Sequence, residues 1–207
     1  MYSEPLSKRI RSLLRSLPRT GITLGELIHR VGEDGLLILT ALLTLVFLIP
    51  VSIPGVSTVF GAAILLIGTS RLFRRELWLP SKMRHKMIGT RKLRPVLRKA
   101  LPWLQKLERV SRPNRIQWLV ENGPMERLNN ASLILGAILL MMPFGLIPFS
   151  NTFPAVALLF FAIGLLQRDG VCVLLGHISN IVTILYFGVL ITGGGLALRE
   201  AFIRLTA

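Results

Sequence analysis

Apolar and polar positions along this 207-residue chain are sorted into long blocks. From Leu36 to Ser70 no residue is charged. The block is broken in its middle by Pro50 and by Pro54-Gly55, leaving arms at Leu36–Ile49 and Val59–Ser70. As helices these arms rise about 21 Å and about 18 Å, short of a hydrocarbon core of about 30 Å. Two geometries fit: a re-entrant hairpin with its tip inside the bilayer, or two short helices that thin it. The hairpin is the favoured reading.

A second apolar block, Ala131–Leu166, is broken by Pro143, Pro148 and Pro154. Shifting by 94 residues aligns Ile53-Pro54 with Ile147-Pro148 and Thr58 with Thr152, and a shift of 96 aligns Ile67-Gly68 with Ile163-Gly164. Both blocks read as apolar arm, polar Pro-rich centre and apolar arm, a weak internal repeat of the kind that marks transporter sites. The second centre has Pro148-Phe149 where the first has Pro54-Gly55. An inverted repeat is disfavoured, because residues 71–128 hold no spanning segment between the blocks. Val171–Leu198 then runs about 42 Å as a helix, the one stretch that spans a bilayer alone.

Outside these blocks the periodicity is amphipathic. Leu6, Ile10, Leu13, Leu14 and Leu17 share a helical face against Lys8, Arg9, Arg11 and Arg15. Such a helix suits an anionic membrane surface, or packs on its own protein. Thr23 and Glu26 are spaced as a capping box, and Gly32 and Gly35 interrupt the helix that follows. Leu97, Leu101, Leu104 and Leu107 predict a further amphipathic helix, distorted at Pro102. The fold predicted is an all-α integral membrane protein. It has basic interfacial helices at 1–35, a Pro-broken hairpin at 36–70 and a basic Trp-containing region at 71–128. A second Pro-broken hairpin at 129–168 and a C-terminal transmembrane helix and tail at 169–207 complete it.

Charge sharpens this layout. Lys and Arg outnumber Asp and Glu by 25 to 10, and 16 of the 25 lie in residues 71–128. A basic chain also suits nucleic acid, but a nucleic-acid binder has no need of long uncharged runs, so none is expected as a partner. The positive-inside rule puts the N-terminus and the central region of a multi-pass membrane protein in the cytoplasm. Trp78, Trp103 and Trp118 all fall in that central region, which fits a surface at headgroup level. The first 30 residues interleave leucine with arginine and do not read as a cleaved signal peptide. Cys172, the only cysteine, reads as a small buried apolar side chain.

No catalytic constellation is legible: there is no phosphate loop, His-Glu-x-x-His helix or Gly-x-Ser-x-Gly turn. His29, His85 and His177 are scattered, and Asp169 is the only acid between Arg127 and Arg199. The chain is expected to be non-enzymatic, with no cofactor and no metal. The polar centres of the apolar blocks stand out instead. The first offers Ser52, Pro54, Gly55, Ser57 and Thr58, and the second Pro148, Ser150, Asn151 and Thr152. Unwound backbone in a bilayer needs partners. Helix N-termini starting at such breaks aim free N–H groups at one spot, suited to an anionic headgroup; equally, the hydroxyl and amide side chains serve as caps. Arg71, Arg74, Arg75, Arg168 and Asp169 close the blocks as boundary charges.

The runs IPVSIPGVSTVFGAAILLIGTSRLF, LWLP, PWLQKLERVSRP and PFSNTFPAVALLFFAIGLLQRDGVCVLLG resemble the ExoD family of bacterial exopolysaccharide synthesis proteins, from about Leu24 to Leu198. The resemblance implies an inner-membrane protein linked to exopolysaccharide production and carries over no active-site residue. Three roles are consistent with the residues and the resemblance together. The first is binding or translocation of a lipid-linked sugar or polyprenyl phosphate. The second is a scaffold or regulatory partner of polysaccharide synthesis proteins. The third is an ion or proton pathway, which the scarcity of intramembrane acids disfavours. A homo-oligomer is compatible with each.

Overall fold

The computed structural model describes residues 6–18, 21–48, 55–74, 85, 87–91, 94–95, 98, 101–102, 105, 115–121, 123–144 and 147–206. It is all-helical apart from one two-residue ladder. Its elements are α1 Leu6–Ser16, β1 Ile22–Thr23, α2 Leu24–Leu45 with a 3-10 turn at Val46–Leu48, and α3 Val56–Leu72. They continue as β2 Met87–Ile88, α4 Trp118–Glu121, α5 Gly123–Met141, α6 Thr152–Gln167 and α7 Gly170–Thr206. The ladder is antiparallel, with Ile22 opposite Ile88 and Thr23 opposite Met87. Beside it Thr90 Oγ1 donates to Pro18 O at 2.6 Å, a second tie between the N-terminal segment and the central basic stretch.

Local chemistry explains where the helices start and bend. The capping box is formed: Glu26 N donates to Thr23 Oγ1 and Thr23 N donates to Glu26 Oε2. Gly32, at φ 62° and ψ −163°, kinks α2, a conformation closed to residues with a Cβ. Gly35, expected to break the helix as well, lies within it. Thr40, Thr44, Thr69 and Ser70 turn their hydroxyls back onto carbonyls three or four residues earlier. That satisfies polar groups placed in otherwise apolar helices.

The arms are longer than the apolar pattern alone suggests. Helix α3 opens at Val56 rather than Val59 and ends at Leu72 rather than Ser70, and α5 begins at Gly123 rather than Ala131. Polar residues such as Asn129 and Asn130 join the helix without joining the apolar run, because the run records the apolar environment and the helix records backbone bonding. At 17, 19 and 16 residues, α3, α5 and α6 rise about 25, about 28 and about 24 Å.

Helix α6 is the centre of the bundle, with Ala155, Leu158, Phe161 and Ala162 fully enclosed. It packs on α7, α2 and α5, while α3 packs chiefly on α5. Thus each arm of the first block takes its main partner from the second. The α3–α5 pair is antiparallel: Gly61 meets Met141 and Ala137, and Gly68 meets Leu133 and Ile134. The α6–α7 pair is antiparallel too, with Gly164 against Val173 and Gly176 against Phe161. Leu17, just past α1, is buried in the core and Leu14 of α1 packs against that core, with Lys8, Arg11 and Arg15 exposed. Of the predicted central helix, Leu101 packs on the core and Pro102 is exposed, whereas Leu97, Leu104 and Leu107 lie outside the described residues.

Helix α7 differs from the rest. Gly170–Gly194 is long and apolar enough to cross a bilayer, yet only 22% of its most apolar window is buried. Leu174, Leu175, Ile178, Ile181, Val182, Leu185 and Val189 are exposed along it. The core helix of a soluble protein is buried; this one presents a large apolar face outward.

Candidate functional site

The two breaks lie at one end of the bundle. Gly61 faces Met141, so the start of α3 sits beside the end of α5. The 3-10 turn at Val46–Leu48 packs on α6, and Phe47 stacks edge-on against Phe60 at 5.7 Å. Ser57 and Thr152 each lie fifteen residues from the last residue of their helix, about 22 Å, so both breaks stand at a similar height above the opposite end.

In the first break Ser52 and Pro54 lie outside the described residues. Gly55 is left-handed at φ 83° and precedes α3 with no side-chain cap. Ser57 is buried and Thr58 exposed. The second break is more completely tied down. Ser150 Oγ is 2.7 Å from Phe144 O and 2.8 Å from Ile147 O, donating within the turn. Tyr186 Oη donates to Pro148 O at 2.7 Å. Phe149 O accepts from Thr152 N and Phe153 N, which occupies the first amides of α6. Asn151, buried, makes no side-chain cap bond to the helix, and Thr152 opens it half-buried. Neither α3 nor α6 has a side-chain cap bond at its first residue; the second centre is instead braced by backbone, with Phe149 O meeting the first amides of α6. The centres share one backbone feature at the 94-residue spacing: Phe149, at φ 64°, is left-handed like Gly55. Arg74 and Arg168, at φ 50° and 54°, repeat that match where α3 and α6 end.

The opposite end carries the boundary charges. Arg71 Nε donates to Asn130 Oδ1 at 3.3 Å, and Arg74 Nη2 bonds Glu126 Oε2 at 2.8 Å, extending the α3–α5 register. Arg75 lies outside the described residues. The Arg74–Glu126 pair is open to solvent, with Arg74 75% exposed, and such pairs contribute about 0–1 kcal/mol. Glu126→Gln is therefore expected to shift the thermal midpoint of the detergent-purified chain by no more than about 4 °C. Arg168 is exposed, and Asp169 is fully buried. Asp169 Oδ1 accepts from Val171 N at 3.0 Å, and Cys172 Sγ lies 3.4 Å from Oδ2, so this carboxylate caps α7. Backbone ties this turn to the central basic region: Gly170 N donates to Arg115 O at 2.8 Å.

Between the ends runs a polar seam that sequence reasoning missed. Asn129, fully buried on α5, donates through Nδ2 to Leu119 O at 2.6 Å. Its Oδ1 is 2.9 Å from His177 Nε2 on α7, and because the Asn129 amide is oriented by that donation, His177 must donate at Nε2. One turn on, Asn180 Nδ2 donates to Ser132 O at 2.8 Å. Asn129 with His177 and Ser132 with Asn180 set α5 and α7 parallel. Thr183, fully buried, closes the series by donating to Ser179 O. The available signal was His177, Asn180 and Thr183, one helical turn apart within an apolar stretch.

The family model for exopolysaccharide synthesis, ExoD, matches residues 6–189. The chain belongs to the ExoD family. It is 48% identical to Protein ExoD of Rhizobium meliloti over 185 residues, 89% of this chain and 77% of that protein. It is 30% identical to the uncharacterized protein slr1875 of Synechocystis, covering 78% of this chain and 74% of that one. No solved structure matches. The ExoD match takes in both breaks and the seam, and membership carries a role in exopolysaccharide synthesis. The ExoD name specifies no reaction.

Proposed function

We propose that the chain is an inner-membrane protein that supports exopolysaccharide synthesis by binding or translocating a lipid-linked or polyprenyl-phosphate intermediate, without bond chemistry of its own. The exposed apolar face of α7 supports membrane residence, because unfavourable contact of such a surface with water is relieved in lipid. The basic end then faces the cytoplasm. The breaks, about 22 Å along their helices, reach most of the way into a core of about 30 Å. The left-handed backbone repeated at Gly55 and Phe149, and at Arg74 and Arg168, supports two related units entering from the same side.

The observation that carries the ligand reading is the uncapped start of α3 after Gly55. A helix N-terminus without a capping side chain leaves N–H groups and the positive end of the dipole for an anion. Ser57, buried in that first turn, narrows the approach. Polyprenyl phosphate is expected to bind the purified chain, with Ser57→Leu weakening it about tenfold, one charge-assisted hydrogen bond's worth, and Asn151→Leu weakening it less. Unchanged affinity in both variants sinks this site. A scaffold role rests on the exposed Arg91, Arg98 and Arg127. Capture of a polysaccharide synthase that is lost on neutralising them would favour that role instead.

A further inference from the structure

The seam between α5 and α7 contains one polar atom whose hydrogen-bonding capacity is unused. Asn180 is 2% exposed, and its amide orientation is fixed, because only nitrogen can donate to Ser132 O. Asn180 Oδ1 is thereby turned toward α5, 3.2 Å from where a Cβ on Gly136 would stand. It is buried with no hydrogen-bond partner among the described residues. A buried acceptor without a donor is costly, and such atoms are uncommon enough to require a reason.

The surroundings decide what the atom takes. An anion is excluded, since a carbonyl oxygen offers only lone pairs. A bare cation has no carboxylate to neutralise it on this seam: Glu126 is paired with Arg74 and Asp169 caps α7. Arg71, bonded to Asn130 beside the seam, adds positive charge. Neutral O–H donors remain. Asn180 stands ten residues beyond Gly170, about 15 Å along the helix, near the middle of a core of about 30 Å. Ser132 and His177, which lead to it from the basic end, are half-buried, so the seam is not sealed along that edge.

We propose that the α5–α7 seam, with Asn180 Oδ1 as its acceptor, binds a hydroxyl of a neutral polyhydroxylated lipid headgroup. This rests on the membrane and lipid-linked-intermediate reading above and adds the group that reads the sugar, distinct from the phosphate at the start of α3. Water is the other source of the same O–H chemistry, and the two separate experimentally.

The full chain is placed in phosphatidylcholine nanodiscs, whose lipid carries no hydroxyl, and titrated with polyprenyl phosphate and with polyprenyl phosphoryl glucose. The wild-type chain is expected to prefer the glucosylated probe about tenfold, the scale of one hydrogen bond made to a buried acceptor. Asn180→Leu removes the acceptor and is expected to abolish the preference while leaving polyprenyl phosphate affinity unchanged. Gly136→Ala keeps the Ser132 bond but crowds Asn180 Oδ1 and Leu158, and is expected to do the same if Asn180→Leu fails to fold. Equal affinity for both probes in the wild-type chain means that water alone serves the acceptor, which overturns this proposal and leaves the phosphate reading standing. Retained preference in both variants overturns it as well. Failure of both probes to bind overturns the phosphate reading with it.

Discussion

Gly164→Ala is expected to destabilise the chain by about 3 kcal/mol, the upper part of the range for overpacking a closed interface. At the size of this chain that lowers the thermal midpoint by roughly 6–12 °C. The Cβ would stand 2.7 Å from Val173 N, 2.8 Å from Val173 Cγ2 and 3.0 Å from Asp169 O. Two of these atoms are backbone, and neither can swing aside. Gly164 O also accepts from the amides of Arg168 and Asp169, so backing α6 away breaks the turn that leads into α7. Gly194→Ala is the control: nothing lies within 4 Å of that position, and replacing a helical glycine there is expected to be neutral or to stabilise by up to about 1 kcal/mol. Differential scanning fluorimetry on detergent-purified protein separates the two. An unchanged midpoint for Gly164→Ala would refute the α6–α7 register.

The second large effect is expected at Asn129. Interhelical hydrogen bonds within a bilayer average only about 0.6 kcal/mol, so the bonds themselves predict a small loss. Asn129→Leu does more, because it strands Leu119 O and the His177 Nε2–H, which both lose their partner. Each stranded buried group costs about 1–3 kcal/mol, and His177 is only half-buried, so the total settles near 2–3 kcal/mol. Since the His177 penalty arises only when Asn129 is removed, adding His177→Leu is expected to cost less than it does in the wild-type background. Midpoints for both single variants and the double variant give the coupling directly. A strictly additive cycle sinks the seam as a connected unit.

The sequence revealed the helices better than it revealed their partners. The Thr23–Glu26 box, the prolines that part the arms and the start of the last helix are local, and each needs only neighbours within a turn or two; that helix runs on past the expected Leu198 to Thr206. The antiparallel seating of α3 on α5 depends on small residues at Gly61 and Gly68 meeting Ala137 and Ile134 across more than sixty positions. Nothing near Gly61 in the chain announces that meeting. The candidate site shows the same division. Ser150 and Asn151 were legible as residues of a break, but Ser150 serving the carbonyls of Phe144 and Ile147 is tertiary detail. His177 looked isolated because Asn129, its partner, lies 48 positions earlier. Asn and His carry no local signature that separates an interhelical bond from a solvated side chain.

The exchange of partners between the two blocks also sets a schedule for biogenesis. Helices α2 and α3 leave the ribosome before α5 and α6, on which they mainly pack, have been made. Roughly a hundred residues separate the end of α3 from the end of α6, a delay of about 5–20 s at bacterial elongation rates. During that interval the first block has only itself, lipid or a chaperone to cover Ile64 and Ile67, both buried in the finished fold. Slowed translation across the central basic stretch would therefore lengthen the life of a half-made protein whose proper neighbours do not yet exist.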